Sequence, residues 1–180
     1  VEGYMDVLAM AQFDLPNTVA TLGTAATFEQ IEKLFKKCPQ LVFCFDGDKA
    51  GIKAAWRALE TTLPLLKDGR QCFFLFMPEG EDPDTYIRKH GKQAFEQSSV
   101  RLALSDYLFQ HLQEGLDLSA PECRAAYIEK TKPYIQKLPS SALKDLICHE
   151  LTKQTGYDAS KFLTSTEPSN ASNNRISPKK

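Results

Sequence analysis

The residues best equipped for chemistry are acids that recur just behind apolar runs. Asp46-Gly47-Asp48 follows Leu41-Val42-Phe43-Cys44-Phe45, and Glu79, Glu81, Asp82 and Asp84 follow a run that ends at Phe76. Glu2 and Asp6 stand at the head of the chain, behind Val1. Carboxylates drawn close together repel one another and must be protonated, solvated or neutralised by a cation. Hard oxygen donors offered one or two at a time suit magnesium, which keeps part of its water shell for phosphate oxygens. A pair of such ions clamps the attacking and leaving oxygens of phosphoryl or nucleotidyl transfer, and Asp46 is the candidate bridge between them. The glycine between the two aspartates lets the backbone turn sharply into the next helix. Taken singly, each acid is equally explained as a solvated turn residue or, for Asp48, as a helix N-cap. The convergence of three segments favours a site.

Those segments need strands that end on one edge. Residues 18–22, 41–45 and 72–76 are short apolar runs with the composition of strands buried on both faces. Amphipathic helices fall between them: one near Tyr4–Gln12, one opening at the Thr27-x-x-Gln30 capping box, and one from about Lys49 to Leu66. The alternation implies βαβ units and a parallel sheet whose ligands collect outside the carboxyl ends of the strands. Only Val1 remains of the strand expected before the first helix. On the helix after Asp48, Lys49, Lys53 and Arg57 recur every four residues. That basic stripe could guide nucleotide phosphates or a nucleic-acid backbone toward the acids, or it could be a solvated face.

Beyond about Ser98 the strand signal fades. Three helical stripes follow, through Leu102–Leu112, Tyr127–Leu138 and Leu143–Leu151, the second interrupted at Pro133. The expected organisation is an α/β unit over residues 1–97, its first strand truncated, then a small all-α helical subdomain over 98–163. A disordered interdomain linker rich in Ser, Asn, Pro and Lys is expected over 164–180.

Composition narrows the rest. With 180 residues, 42% apolar and 25% charged, the chain is globular in character. Its net charge of −1 gives no global attraction to phosphate, so any nucleic-acid role must be local. The acidity lies in the first part, with 11 basic and 14 acidic residues up to Gln97 against 11 and 9 after it. No apolar run approaches the roughly 20 residues of a membrane span, and nothing reads as a signal peptide, so a soluble cytoplasmic protein is expected. The five cysteines are odd in number and lack a C-x-x-C, as suits reduced, packed thiols. His90, His111 and His149 do not complete a zinc site with them. The opening Val1-Glu2-Gly3 reads as an excerpt from a longer chain.

Four motifs in order carry a resemblance. Glu2-Gly3-Tyr4-Met5-Asp6, Leu22-Gly23-Thr24, Phe45-Asp46-Gly47-Asp48-Lys49-Ala50-Gly51 and Glu79-Gly80-Glu81-Asp82-Pro83-Asp84 together resemble the Toprim domain of bacterial DnaG-type DNA primases. The helical remainder is similar to the subdomain that follows Toprim in the primase polymerase core. The resemblance implies a Toprim-like parallel sheet flanked by helices, and a nucleotidyltransferase. Its activity would be a DNA-dependent RNA polymerase that makes short RNA primers from ribonucleoside triphosphates on a single-stranded DNA template.

By the same correspondence Glu2, Asp46 and Asp48 are the catalytic, metal-binding acids, with Asp6, Asp82 and Asp84 as further acids around the same metals. The implied cofactor is Mg2+, with Mn2+ as a substitute. Zinc belongs to a domain that precedes this segment in the family, and the replicative helicase is contacted through a domain that follows it. On this view the 180 residues bind magnesium but make little or no primer alone. Rivals are another Toprim enzyme, a topoisomerase or a nuclease, and a non-catalytic Toprim scaffold. A haloacid-dehalogenase-type phosphatase is disfavoured because Lys49-Ala50-Gly51 follows the acids.

Overall fold

The computed structural model describes residues 1–23, 25–97 and 101–163. Strand β1 (Gln40–Phe45) pairs in parallel with β2 (Gln71–Phe76), from Gln40 opposite Gln71 to Phe45 opposite Phe76. The period of two in their side chains sends the two strands' residues to opposite faces. Leu41, Phe45, Cys72 and Phe74 enter the main core, whereas Cys44 and Leu75 join a smaller cluster with Met77. Both faces are therefore covered, which is why the runs read as continuously apolar.

Helix α1 (Tyr4–Gln12) and α4 (Pro83–Gln97) pack on each other through Ala9, Met10 and Ile87. Tyr86 and Phe95 of α4 meet the Cys44–Leu75 face. The opposite face is covered by α2 (Phe28–Phe35) and α3 (Lys49–Thr62). The capping box at α2 forms as its residues imply: Gln30 N donates to Thr27 Oγ1 at 3.3 Å, and Thr27 N to Gln30 Oε1 at 3.0 Å.

The helical half follows the sheet without a break in the core. Helices α5 (Leu104–Gln113), α6 (Pro121–Lys137) and α7 (Ala142–Thr155) bury Leu108, Tyr127, Ile135 and Leu151 in the same cluster as Leu41 and Phe74. Tyr107 ties them to α3 by donating its hydroxyl to the Ile52 carbonyl at 3.3 Å, with its ring 4.9 Å from that of Phe74.

Several local expectations change. Residues 18–22 form no strand, and Leu22 turns into the left-handed region at φ +58°. Their bonds go to the chain start: Val1 N to Val19 O, Thr21 N to Val1 O and Leu22 N to Glu2 O, the beginning of a parallel ladder with too few residues to propagate. Between this segment and the free edge of β1 runs a cavity of about 650 Å3, lined by Val1, Val19, Thr21, Val42 and Cys44 among others. A two-residue strand β3 (Leu102–Ala103), absent from the sequence reading, pairs antiparallel with β2.

Helix α6 runs through Pro133, because the loss of one amide donor is outweighed by a buried face of Tyr127, Ile128, Thr131 and Ile135. On α7 the apolar stripe is displaced: Leu146 is 65% exposed while Lys144 is buried, its Nζ donating to the Leu138 carbonyl at 3.1 Å. The Lys144 stem substitutes for an apolar residue, and its head satisfies the carboxyl end of α6. Ile52 of α3 is likewise exposed. The proposed linker over 164–180, residues 98–100 at the proposed boundary, and Thr24 of the second motif lie outside the described residues. No helix among the described residues is long and apolar enough to cross a membrane.

One shared core predicts one unfolding transition. Leu108→Ala, at a fully buried position of α5, should cost about 2–5 kcal/mol. Thermal unfolding followed by Trp56 fluorescence and by far-UV circular dichroism should shift together, with coincident midpoints.

Candidate metal centre

Three helices present acids at their first turns, α3 after β1, α4 after β2, and α1 at the start of the chain. Asp48 is the N-cap of α3, its Oδ1 accepting from Gly51 N at 2.7 Å. Asp82 precedes α4 and accepts at Oδ1 from Thr85 N and Thr85 Oγ1, both at 2.7 Å. Asp6, inside α1, reaches back so that Gly3 N donates to its Oδ2 at 3.0 Å. Helix N-termini carry partial positive charge and unpaired amides, so these carboxylates are held without being consumed.

Asp46 is different. Among the described residues its carboxylate has no hydrogen bond or ion pair, and it sits half-buried at the end of β1. Burial pushes its pKa up to about 6 from an ordinary 3.8, with the charges of Glu2, Asp82, Asp6 and Asp48 adding to the rise. These acids come from three segments of the chain. The same carboxylates do not close into a cage: among the described residues no three Asp, Glu, His or Cys side chains are gathered tightly enough to enclose a metal unaided. One or two carboxylates at a time, with room for water and phosphate, is the donor arrangement that magnesium accepts. The uncompensated charge at Asp46 is the feature that fits a cation.

The remaining sequence candidates divide. Asp84 pairs within α4 with Arg88, which also donates to Gln12 Oε1 at 3.1 Å and so links α4 to α1. Glu79 is exposed, and Glu81 is turned toward Lys89 and His90. Lys49, Lys53 and Arg57 are all exposed, in a row leading away from Asp48 along α3.

Close approach explains the glycines. A Cβ at Gly47 would overlap the Met77 carbonyl oxygen and come within 2.8 Å of the Pro78 backbone, and one at Gly51 would overlap the Asp46 carbonyl. Gly47 therefore does more than permit a turn: it lets the loop after β2 lie directly on the loop after β1. Sequence reading missed this contact and the Lys89–Glu81 pair, since both depend on segments far apart in the chain. The Asp82–Thr85 spacing alone was a visible capping signal.

Comparison with known proteins agrees with this geometry. Residues 1–87 match a family described as Toprim-like, and residues 105–159 match one described as the DnaB-helicase binding domain of primase. A DNA primase of Pasteurella multocida is 46% identical over 170 residues, which is 94% of this chain and 29% of that protein. The chain belongs to the bacterial DnaG primase family.

It spans under a third of the length of that curated relative. A solved DNA primase domain from Pseudomonas aeruginosa superposes with a TM-score of 0.87 at 45% identity, covering 90% of this chain and 51% of that one. A DnaG primase catalytic domain bound to single-stranded DNA gives 0.82 at 45% identity, covering 89% and 51%. Within this family the helix match at 105–159 adds a segment described as helicase-binding to a region that the sequence reading treated only as a helical subdomain.

The raised carboxyl of Asp46 makes a signed prediction. A folded-state pKa above the unfolded value gives stability that is fully present below pH 3.8 and lost as pH rises through about 6. Asp46→Asn, which does not titrate, should therefore raise the melting temperature at pH 8, with the gain shrinking as pH falls through 6 and vanishing near 4. A gain that is the same at pH 8 and pH 4 would contradict this.

Proposed function

We propose that this chain supplies the metal-binding and nucleotidyl-transfer acids of a DNA primase, which makes RNA primers on single-stranded DNA. The observation that carries the reading is the convergence of Glu2, Asp6, Asp48 and Asp82 on the uncompensated Asp46. A non-catalytic scaffold would gain nothing from that repulsion. Glu2, Asp46 and Asp48 would hold Mg2+, with Asp6 and Asp82 as neighbours, and Mn2+ could replace it. When bound, the ion supplies positive charge for phosphate oxygens and for a developing oxyanion. Asp48 and Asp82, anchored through Oδ1 on helix N-termini, would leave their other carboxylate oxygen for the cation. Asp84 is engaged by Arg88 within α4 instead of acting as a ligand.

Lys49, Lys53 and Arg57 would meet phosphates of a template, primer or incoming nucleotide, because they are exposed and lie beside the acids. The match over 105–159 supports a helicase contact through α5–α7, within this chain, alongside whatever further domain the longer family members use. The single-stranded DNA of the solved relative supports a DNA template here. We place the boundary between the metal-binding unit and the helical unit near residue 97, and assign bacterial DNA replication as the setting.

Isothermal titration of the intact chain with Mg2+ tests the site. Asp46→Ala with Asp48→Ala should remove measurable binding, and primer synthesis by the full-length protein carrying the pair should fall by at least about 10²-fold. Unchanged affinity would refute the site. Lys53→Ala should weaken single-stranded DNA binding across sequences and reduce its salt slope by about 0.7. An unchanged slope would leave that lysine on a solvated face.

A further inference from the structure

Asp82 is carried to the acid cluster by a loop, residues 77–82, that joins β2 to α4. One end of the loop is fixed on the strand edge. Met77 N donates to the Phe45 carbonyl at 2.9 Å, and the Met77–Pro78 backbone rests on Gly47, between the two central aspartates. The other end is fixed on α4 by Glu81. Its Oε1 accepts from Lys89 Nζ at 2.5 Å, and its Oε2 lies 3.4 Å from His90 Nε2.

Glu81 is an unusual loop acid. Its side chain is only 16% exposed, and Oε2 is fully enclosed without a hydrogen bond. Withdrawing a carboxylate from water in this way is costly unless a cation compensates. Lys89 does so, holding the carboxyl below the usual carboxylate range, with His90 assisting. The His90 ring in turn rests on Tyr86, 4.5 Å between centroids. Asp82, the next residue, adds to the charge felt by Asp46. Of the two adjacent acids, Glu81 is held by the cationic clamp on α4 and Asp82 caps the same helix through Thr85.

We propose that Glu81 and Lys89 are positioning residues that hold the 77–82 loop between Gly47 and α4 and so set Asp82 against Asp46. The inference rests on the reading of Asp46 and its neighbours as a divalent-cation site. Freed from Lys89, the Glu81 carboxylate gains more hydration by turning outward, and the short loop carries Asp82 with it. The Asp82–Thr85 cap ties Asp82 to the first turn of α4, so that turn shifts together with the loop.

Mn2+ binding to the intact chain, measured by electron paramagnetic resonance, tests this independently of activity. Lys89→Met should weaken affinity about tenfold, as loss of an outer-sphere partner does, with a melting temperature within about 3 °C of the parent. Lys89→Arg should stay within about twofold, and Glu81→Lys combined with Lys89→Glu should recover most of the loss. Affinity for Lys89→Met within twofold of the parent, while Asp46→Asn abolishes binding, would overturn the positioning role and leave the metal site standing. No loss in either variant would overturn both. A loss matched by a large fall in melting temperature, and not recovered by the charge exchange, would make the pair structural only.

Discussion

A half-buried carboxylate at the carboxyl edge of β1, Asp46, unpartnered among the described residues, is the constraint around which this site is arranged. Burial opposes its charge first, the charges of Glu2, Asp82, Asp6 and Asp48 add to that, and the fold must hold these acids in place. It does so with three helix N-termini, those of α1, α3 and α4, whose amides donate to Asp6, Asp48 and Asp82. Each such interaction is worth only about 0.3–1 kcal/mol, so the helices restrain the acids without neutralising them. Charge left over at Asp46 is the feature on which the proposed divalent-cation site rests.

Bringing three chain segments to one edge also demands that backbones touch. Gly47 and Gly51 are the points of contact, and a methyl group at either would strike a carbonyl oxygen of the site's own loops. The scaffold behind them is stiff: two parallel strands with phenylalanine rings stacked across them, Phe43 on Phe74 at 5.6 Å, and helices on both faces. The helical half adds Tyr107, Tyr127 and Leu151 to that same core, so α5–α7 stabilise the unit that bears the acids while presenting their own outer faces. Exposed Leu146 and the exposed α3 lysines are surface that the core does not use.

Much of this was legible in the residues. The continuous apolar runs at 41–45 and 72–76 are β1 and β2, because strands covered on both faces need no polar alternation. The Thr27–Gln30 box marks α2, because capping is local chemistry. Less was legible where neighbours in space are distant in sequence. Residues 18–22 have the composition of a strand but lack enough partner to form one. Lys144 and Leu146 exchange their expected places because the end of α6 needs a donor at Lys144. Asp84 looks like its neighbour Asp82 in the motif, yet it pairs with Arg88 where Asp82 caps α4 through Thr85.

The sequence by itself determined which residues could do chemistry, that they follow strands, and which family they belong to, since residue type, spacing and period are local properties. Tertiary structure alone decided which acids share a field, and Asp46, Glu2, Asp6, Asp48 and Asp82 do. It also decided that Glu81 faces a lysine and that Gly47 is a contact point as well as a turn. The physical reason is range. Capping and periodicity act over a few residues of chain, whereas repulsion, burial and steric contact act through space between segments that only folding brings together.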